Sequence, residues 1–196
     1  MRLSRINLPN ALTLARIFLV PLLVVVLLTK FEGHALVGVP TPLVGAAIFG
    51  LASFTDWLDG YLARKLNQTS SFGAFLDPVA DKFLVCAALL VLVHLGRVHA
   101  LIALVIIGRE IAISALREWM AQIGASRSVA VHMVGKLKTT AQMIAIPFLL
   151  FDAPLFGLID THAWGTALIV VAAGLTIWSM VYYLQKALPE IRAKAR

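Results

Sequence analysis

The chain has 196 residues, of which 60% are hydrophobic and 14% charged, against about 25% charged in an average soluble domain. Its 17 basic and 10 acidic side chains leave a net charge of +7, and they cluster so that long apolar stretches lie between them. This pattern excludes an ordinary soluble domain and predicts an all-α integral membrane bundle, with residues 1–196 forming one domain. Basic residues at a membrane edge meet anionic headgroups, so the positive balance does not call for nucleic acid. Cys86 is the single cysteine, which excludes an intramolecular disulfide.

The chain opens with Arg2 to Leu8, where basic and apolar residues mix ahead of Pro9. This stretch is either a short interfacial helix on the inner leaflet or an unstructured start. A spanning helix needs about 20 mostly apolar residues. Six stretches qualify: Asn10 to Lys30, Thr41 to Arg64, Phe72 to Leu95, His99 to Ile123, Val129 to Asp152, and Ala163 to Lys186. The first is too long for a signal peptide, Arg16 interrupts its start, and no small-residue cleavage site follows. Short joints separate the rest: Gly33 to Pro42, Lys65 to Ser71, Gly124 to Ser128 and Ala153 to His162. Joints this short make the helices neighbours in one bundle.

Six spans put both termini on one side. That side carries Arg2, Arg5, Arg64, Lys65, Arg127, Lys186, Arg192, Lys194 and Arg196, whereas the other has only Lys30 and Arg97. Basic residues stay on the cytoplasmic side, so both termini are expected in the cytoplasm.

The second and third spans carry the chemistry. Residues 56–81 read DWLDGYLARKLNQTSSFGAFLDPVAD, with Asp56, Asp59, Asp77 and Asp81 gathered near the inner membrane face. Ionisable groups at membrane depth are costly and mark functional sites. Asp56 and Asp59 lie three apart and share a helix face, as do Asp77 and Asp81 at four apart. Pro78 could instead begin the third helix with Asp77 as its cap. The joint between the two spans makes them antiparallel neighbours, so all four carboxylates can meet. Such a group must protonate, pair with cations or bind metal. Oxygen ligands suit Mg²⁺, Mn²⁺ or Ca²⁺ rather than zinc, and four carboxylates balance two divalent ions. Gly60 and Ala63 serve either ligand approach or close helix packing. Arg64 pairs with a phosphate or an Asp, or snorkels at the membrane edge. The competing readings of the cluster are an inter-helix charge network and a divalent-cation pathway.

The spacing D-x2-D-G-x2-A-R-x8-G-x3-D-x3-D, complete here from Asp56 to Asp81 through Gly73, resembles the signature of the CDP-alcohol phosphatidyltransferases. The resemblance implies a six-helix membrane enzyme that displaces CMP from a CDP-linked donor with an acceptor alcohol. It implies that Asp56, Asp59, Asp77 and Asp81 hold two Mg²⁺ or Mn²⁺ ions and that Asp81 is the general base. It also implies that Asp56, Gly60, Ala63, Arg64 and Gly73 border the CDP moiety, and that the chain pairs as a homodimer. No Ser, Cys or His nucleophile accompanies the cluster, which favours direct attack on phosphorus.

The fourth span carries GREIAISALREWMA and the fifth opens on GKLKTTAQM. Arg109 and Arg117 lie about two turns apart on one side of a helix. Glu110 and Glu118 could balance them, yet basic residues exceed acidic ones here and leave charge for an anion. Lys136 and Lys138 sit at the inner edge, facing different ways. With LPNALTLARIFLVP at the start, these stretches resemble members of the family that join CDP-diacylglycerol to sn-glycerol 3-phosphate in the bacterial inner membrane. On that resemblance Arg109, Arg117, Lys136 and Lys138 hold the acceptor phosphate. Asn10 and Thr13 are one turn apart and line the donor site, unless Asn10 caps its helix. Arg16 pairs with an Asp of the cluster or with a lipid phosphate. Asp152 and Asp160 read as solvated outer-loop charges. The rival from another class is a divalent-cation transporter, disfavoured because the buried acidic charge sits near one face only.

Overall fold

In the computed structural model, the backbone is described for residues 8–30, 35–36, 39–65, 71–124 and 133–194. The possible interfacial helix from Arg2 to Leu8 falls almost wholly outside these residues. So do the side chains of Asn10, Asp59, Gly60, Ala63, Arg64 and Lys136.

Six helices follow one another: α1 (Leu8–Lys30), α2 (Thr41–Lys65), α3 (Ser71–His94), α4 (Ala100–Gln122), α5 (Met133–Phe151) and α6 (Thr161–Lys194). The expected all-α class and helix order hold, with ends shifted by a few residues. The largest shift is in α6, which runs on to Lys194 rather than stopping at Lys186. At 1.5 Å per residue α6 is about 50 Å long, well beyond the roughly 30 Å of a bilayer core. Between α1 and α2, residues Ala35–Leu36 and Val39–Pro40 pair as a minimal antiparallel hairpin, β1 and β2.

Apolar spacing decides which face of each helix is buried. In α1 the buried positions are Thr13, Arg16, Val20, Leu23 and Leu27, a stripe at three- and four-residue steps. In α5 they are Lys138, Ala141, Gln142, Ala145, Ile146, Leu149 and Leu150. Both stripes are apolar at one end and polar at the other, so the polar ends line a site while the apolar ends build the core. α3 contributes most to that core, through Leu84, Ala88, Leu89, Val91 and Leu92. The outward faces are apolar too: Phe18, Leu51, Phe75, Leu104 and Ile111 are each more than half exposed. By length and composition α1 and α6 are long and apolar enough to cross a membrane, and α2 and α5 hold shorter apolar stretches.

α5 packs most extensively on α6, α1 lies against both α2 and α3, and α4 leans on α6. The direct contact between α2 and α3 is slight. α1 packs on both carboxylate-bearing helices and so adds to the contact they make with each other. Like charges on facing helices repel, and a buried cation from a third helix relieves that repulsion. Pro78 also lies inside α3 rather than beginning it. Asp77 is therefore an interior helix residue, one turn before Asp81.

On the opposite face a polar clasp joins three elements. Arg97 follows α3 and donates from Nη1 to the carbonyls of Leu149 and Leu150 at the end of α5, both at 2.8 Å. Its Nη2 pairs with Asp152 at 2.9 Å, and Asp152 meets His162 of α6 at 2.6 Å. Burial lowers the Arg97 pKa, against the opposing pull of Asp152. Asp152 is thus a structural partner rather than a merely solvated charge. Asp160 accepts from the backbone N–H of Ala163 at 3.1 Å, which satisfies a first-turn donor of α6.

Candidate functional site

The polar stripe of α1 meets the carboxylates directly. Thr13 Oγ1 donates to Asp77 Oδ1 at 2.8 Å. Three residues on, Arg16 Nη1 reaches Asp56 Oδ1 of α2 at 2.5 Å and Asp81 Oδ1 of α3 at 3.1 Å. The Arg16 side chain is fully buried, while those of Asp56 and Asp81 are 33% and 42% exposed. One guanidinium therefore fastens both carboxylate helices while both acid side chains stay partly exposed. Of the two partners weighed for Arg16, the carboxylate cluster is the one it meets. Gly73 is buried on α3, two turns before Asp81.

The described carboxylates offer only oxygen donors, which are the ligands hard divalent cations take. Asp56, Asp77 and Asp81 fit such an ion by chemistry. As they stand, no three described His, Cys, Asp or Glu side chains form a ready ion-binding group. Arg16 lies between Asp56 and Asp81.

The basic residues form a second group on α4, α5 and α6. Glu110 Oε1 accepts from Arg109 Nη1 at 3.1 Å and is also paired with Lys138 Nζ. Arg109 Nη2 donates to Ser179 Oγ at 3.1 Å. Arg109 and Arg117 both lie over the Tyr183 ring, at 5.5 and 5.4 Å from its centroid, within the range of cation–π attraction. Arg117 also makes a long 3.4 Å contact to the Tyr183 hydroxyl. The Nε atoms of Arg109 and Arg117 are buried without a partner among the described residues. Arg109 and Lys138 thus share one described carboxylate, Glu110, while Arg117 lies over the Tyr183 ring. Glu118, the other balancing carboxylate considered, is exposed.

A cavity of about 310 Å³ joins the two groups. Asp77, Asp81 and Lys82 of α3 line it, together with Glu110 and Arg117 of α4 and Thr139 and Gln142 of α5. Asp77 and Asp81, tied to Thr13 and through Arg16 to Asp56, thus share the cavity with Arg117 and with Glu110, the partner of Arg109 and Lys138. Of the two lysines, Lys138 is the one seen to reach inward; the Lys136 side chain is among those not described.

Sequence reasoning did not single out Tyr183, Ser179 or Gln142. Ser179 and Tyr183 are one turn apart on α6, a segment that reads as an ordinary apolar span. Only the packing of α4 on α6 gives them their role. Gln142 stands one turn beyond Lys138, and that spacing was available as a signal.

Comparison with known proteins agrees with this geometry. A family model for CDP-alcohol phosphatidyltransferase matches residues 6–178. A protein of Salmonella choleraesuis (strain SC-B67) named CDP-diacylglycerol–glycerol-3-phosphate 3-phosphatidyltransferase is 48% identical over 185 residues, covering 92% of this chain and 94% of its own. The protein of the same name from Escherichia coli (strain K12) is 46% identical with the same coverage. The matched region takes in α1 through α5 and about half of α6, hence every residue named as lining the cavity, and ends just before Ser179 and Tyr183. Matched by that family model over residues 6–178 and 48% identical to such a relative over 92% of its length, the chain belongs to the CDP-alcohol phosphatidyltransferase family.

Proposed function

We propose that the chain transfers the phosphatidyl group of CDP-diacylglycerol to sn-glycerol 3-phosphate, giving phosphatidylglycerophosphate and CMP. The observation that carries this reading is the cavity shared by Asp77 and Asp81 on one side and Arg117 and Glu110 on another. It joins a carboxylate set suited to phosphoryl chemistry to a basic group suited to an acceptor that itself bears phosphate. Its volume of about 310 Å³ lies at the lower bound of about 300 Å³ for ligand pockets. That is room for a small phosphorylated acceptor. Inositol phosphate and serine fit less well, because one is bulkier and the other lacks a phosphate. The names of the relatives point to the same donor and acceptor.

In this reading Arg109, Arg117 and Lys138, with Lys136, hold the acceptor phosphate and turn its free hydroxyl toward α3. Asp81 accepts the hydroxyl proton as the oxygen attacks the phosphorus that carries the diacylglycerol. The bond from that phosphorus to the CMP oxygen breaks, and CMP leaves. Asp56, Asp59, Asp77 and Asp81 would hold two Mg²⁺ or Mn²⁺ ions. Bound there, the ions supply neutralisation of the donor pyrophosphate and of the charge that grows on the leaving group. Asn10, Thr13, Asp56, Gly60, Ala63, Arg64 and Gly73 border the CDP-lipid. Thr13 orients Asp77, and Arg16 holds Asp56 and Asp81 at a fixed separation.

The same reading makes residues 1–196 one domain of six spans in the bacterial inner membrane, paired as a homodimer. Both termini and the site face the cytoplasm. The exposed apolar faces of α1 to α6 and the basic bias of one side support it.

Purified protein given CDP-diacylglycerol, Mg²⁺ and one acceptor at a time should release CMP with glycerol 3-phosphate. Release with serine, inositol phosphate or phosphatidylglycerol instead would overturn the acceptor. Cation flux in liposomes without CMP release would favour a transporter.

A further inference from the structure

Gln142 of α5 is 4% exposed, lines the cavity, and has an amide nitrogen with no hydrogen-bond partner among the described residues. Leaving a buried donor unpaired is costly, and native proteins satisfy nearly all such groups. An apolar residue would fill the same place on a bundle helix without that cost. The open amide thus marks a group that a ligand completes.

Its position says which part of a ligand. Gln142 lies one turn beyond Lys138 on the same face of α5, and the cavity it lines also holds Asp81 and Arg117. Lys138 and Arg109 converge on Glu110, and that basic group supplies the charge a phosphate needs. An amide adds no charge, but it both donates and accepts, and its complement is a hydroxyl. Glycerol 3-phosphate has two. The primary hydroxyl is the attacking group and belongs beside Asp81. The secondary hydroxyl stands between it and the phosphate, and no residue assigned so far meets it.

We propose that Gln142 hydrogen-bonds the secondary hydroxyl of the acceptor and so selects a glycerol phosphate over a phosphate ester lacking that group. This assignment rests on the acceptor reading given above. A site built to bond a substrate hydroxyl rejects the analogue without it, because its own polar group is then left unpaired.

The probe is 1,3-propanediol monophosphate, which keeps the phosphate and the terminal hydroxyl and lacks the secondary one. CMP release is followed with each acceptor for the native enzyme and for Gln142→Met and Gln142→Asn. The native enzyme should prefer glycerol 3-phosphate in kcat/KM by roughly tenfold or more. Gln142→Met should shrink the preference to about twofold, by losing rate with glycerol 3-phosphate alone. Gln142→Asn, whose amide is one methylene short, should fall between, and it carries the comparison if the Met variant does not fold. Comparing ratios across variants cancels any difference in the intrinsic reactivity of the two alcohols. Equal use of both acceptors by the native enzyme would overturn the assignment. So would a parallel loss on both acceptors in Gln142→Met with the preference intact. Release with neither acceptor overturns the acceptor reading itself, and is distinct from equal release with both.

Discussion

Replacing Arg16 by Met tests the central electrostatic element of the site. The fully buried guanidinium meets Asp56 at 2.5 Å and Asp81 at 3.1 Å. Removing one partner of a buried ion pair costs about 3–5 kcal/mol. Here the two carboxylates are 33% and 42% exposed, so water recovers part of the loss, and about 2–3 kcal/mol is the expected net. At about 2–4 °C per kcal/mol for a chain of this size, melting should fall by roughly 4–12 °C in the presence of EDTA. The second half of the experiment adds Mg²⁺. If Asp56 and Asp81 hold a divalent ion as proposed, the guanidinium competes with it for the same acid oxygens, and removing Arg16 should enlarge the stabilisation that Mg²⁺ provides. Thermal denaturation of detergent-purified protein across a Mg²⁺ titration reads both effects without relying on turnover. Unchanged melting in EDTA would refute the fastening role. A Mg²⁺ increment no larger than that of the native protein would refute the claim that Arg16 and the ion share ligands.

Asp81→Asn should lower CMP release by about a hundredfold or more, the usual contribution of a general base, with the fold retained and melting lowered by less than in the Arg16 variant. Full turnover in that variant would remove Asp81 from the role of base. Lys138→Met should raise the KM for glycerol 3-phosphate by about tenfold or more, as expected for losing a hydrogen bond to a charged group. The KM for CDP-diacylglycerol should stay near native, and a rise in both would argue against a dedicated acceptor group. Gly165→Val probes the α5–α6 contact, where a Cβ would stand 2.7 Å from Leu149 Cγ and 3.2 Å from the Leu149 backbone nitrogen. Overpacking of this kind costs about 1–3 kcal/mol. Melting should drop with little change in either KM, and an unchanged melting point would show that the two helices can separate freely.

Helix class, number and order were legible in the amino-acid pattern, because a chain with so few charges must place them where water, headgroups or one another can hold them. The spacing of the four aspartates carried the family, since residues three and four apart share a helix face whatever the bundle around them. The basic residues of α4 and α5 were equally visible as charges that outnumber the carboxylates beside them. Pairing across helices was not. That Arg16 bridges Asp56 and Asp81, and that α1 packs on both carboxylate-bearing helices, depends on which stripes pack together. Ser179, Tyr183 and Gln142 stayed silent for the same reason: a hydroxyl, a ring or an amide on an apolar helix means nothing until a neighbouring helix presents a cation or a cavity to it. Local spacing along one helix determined the chemistry available to this protein. Only the packing of the helices decided that Asp77, Asp81 and Arg117 open onto one small cavity, because distances between helices are set by tertiary contacts and not by position in the chain.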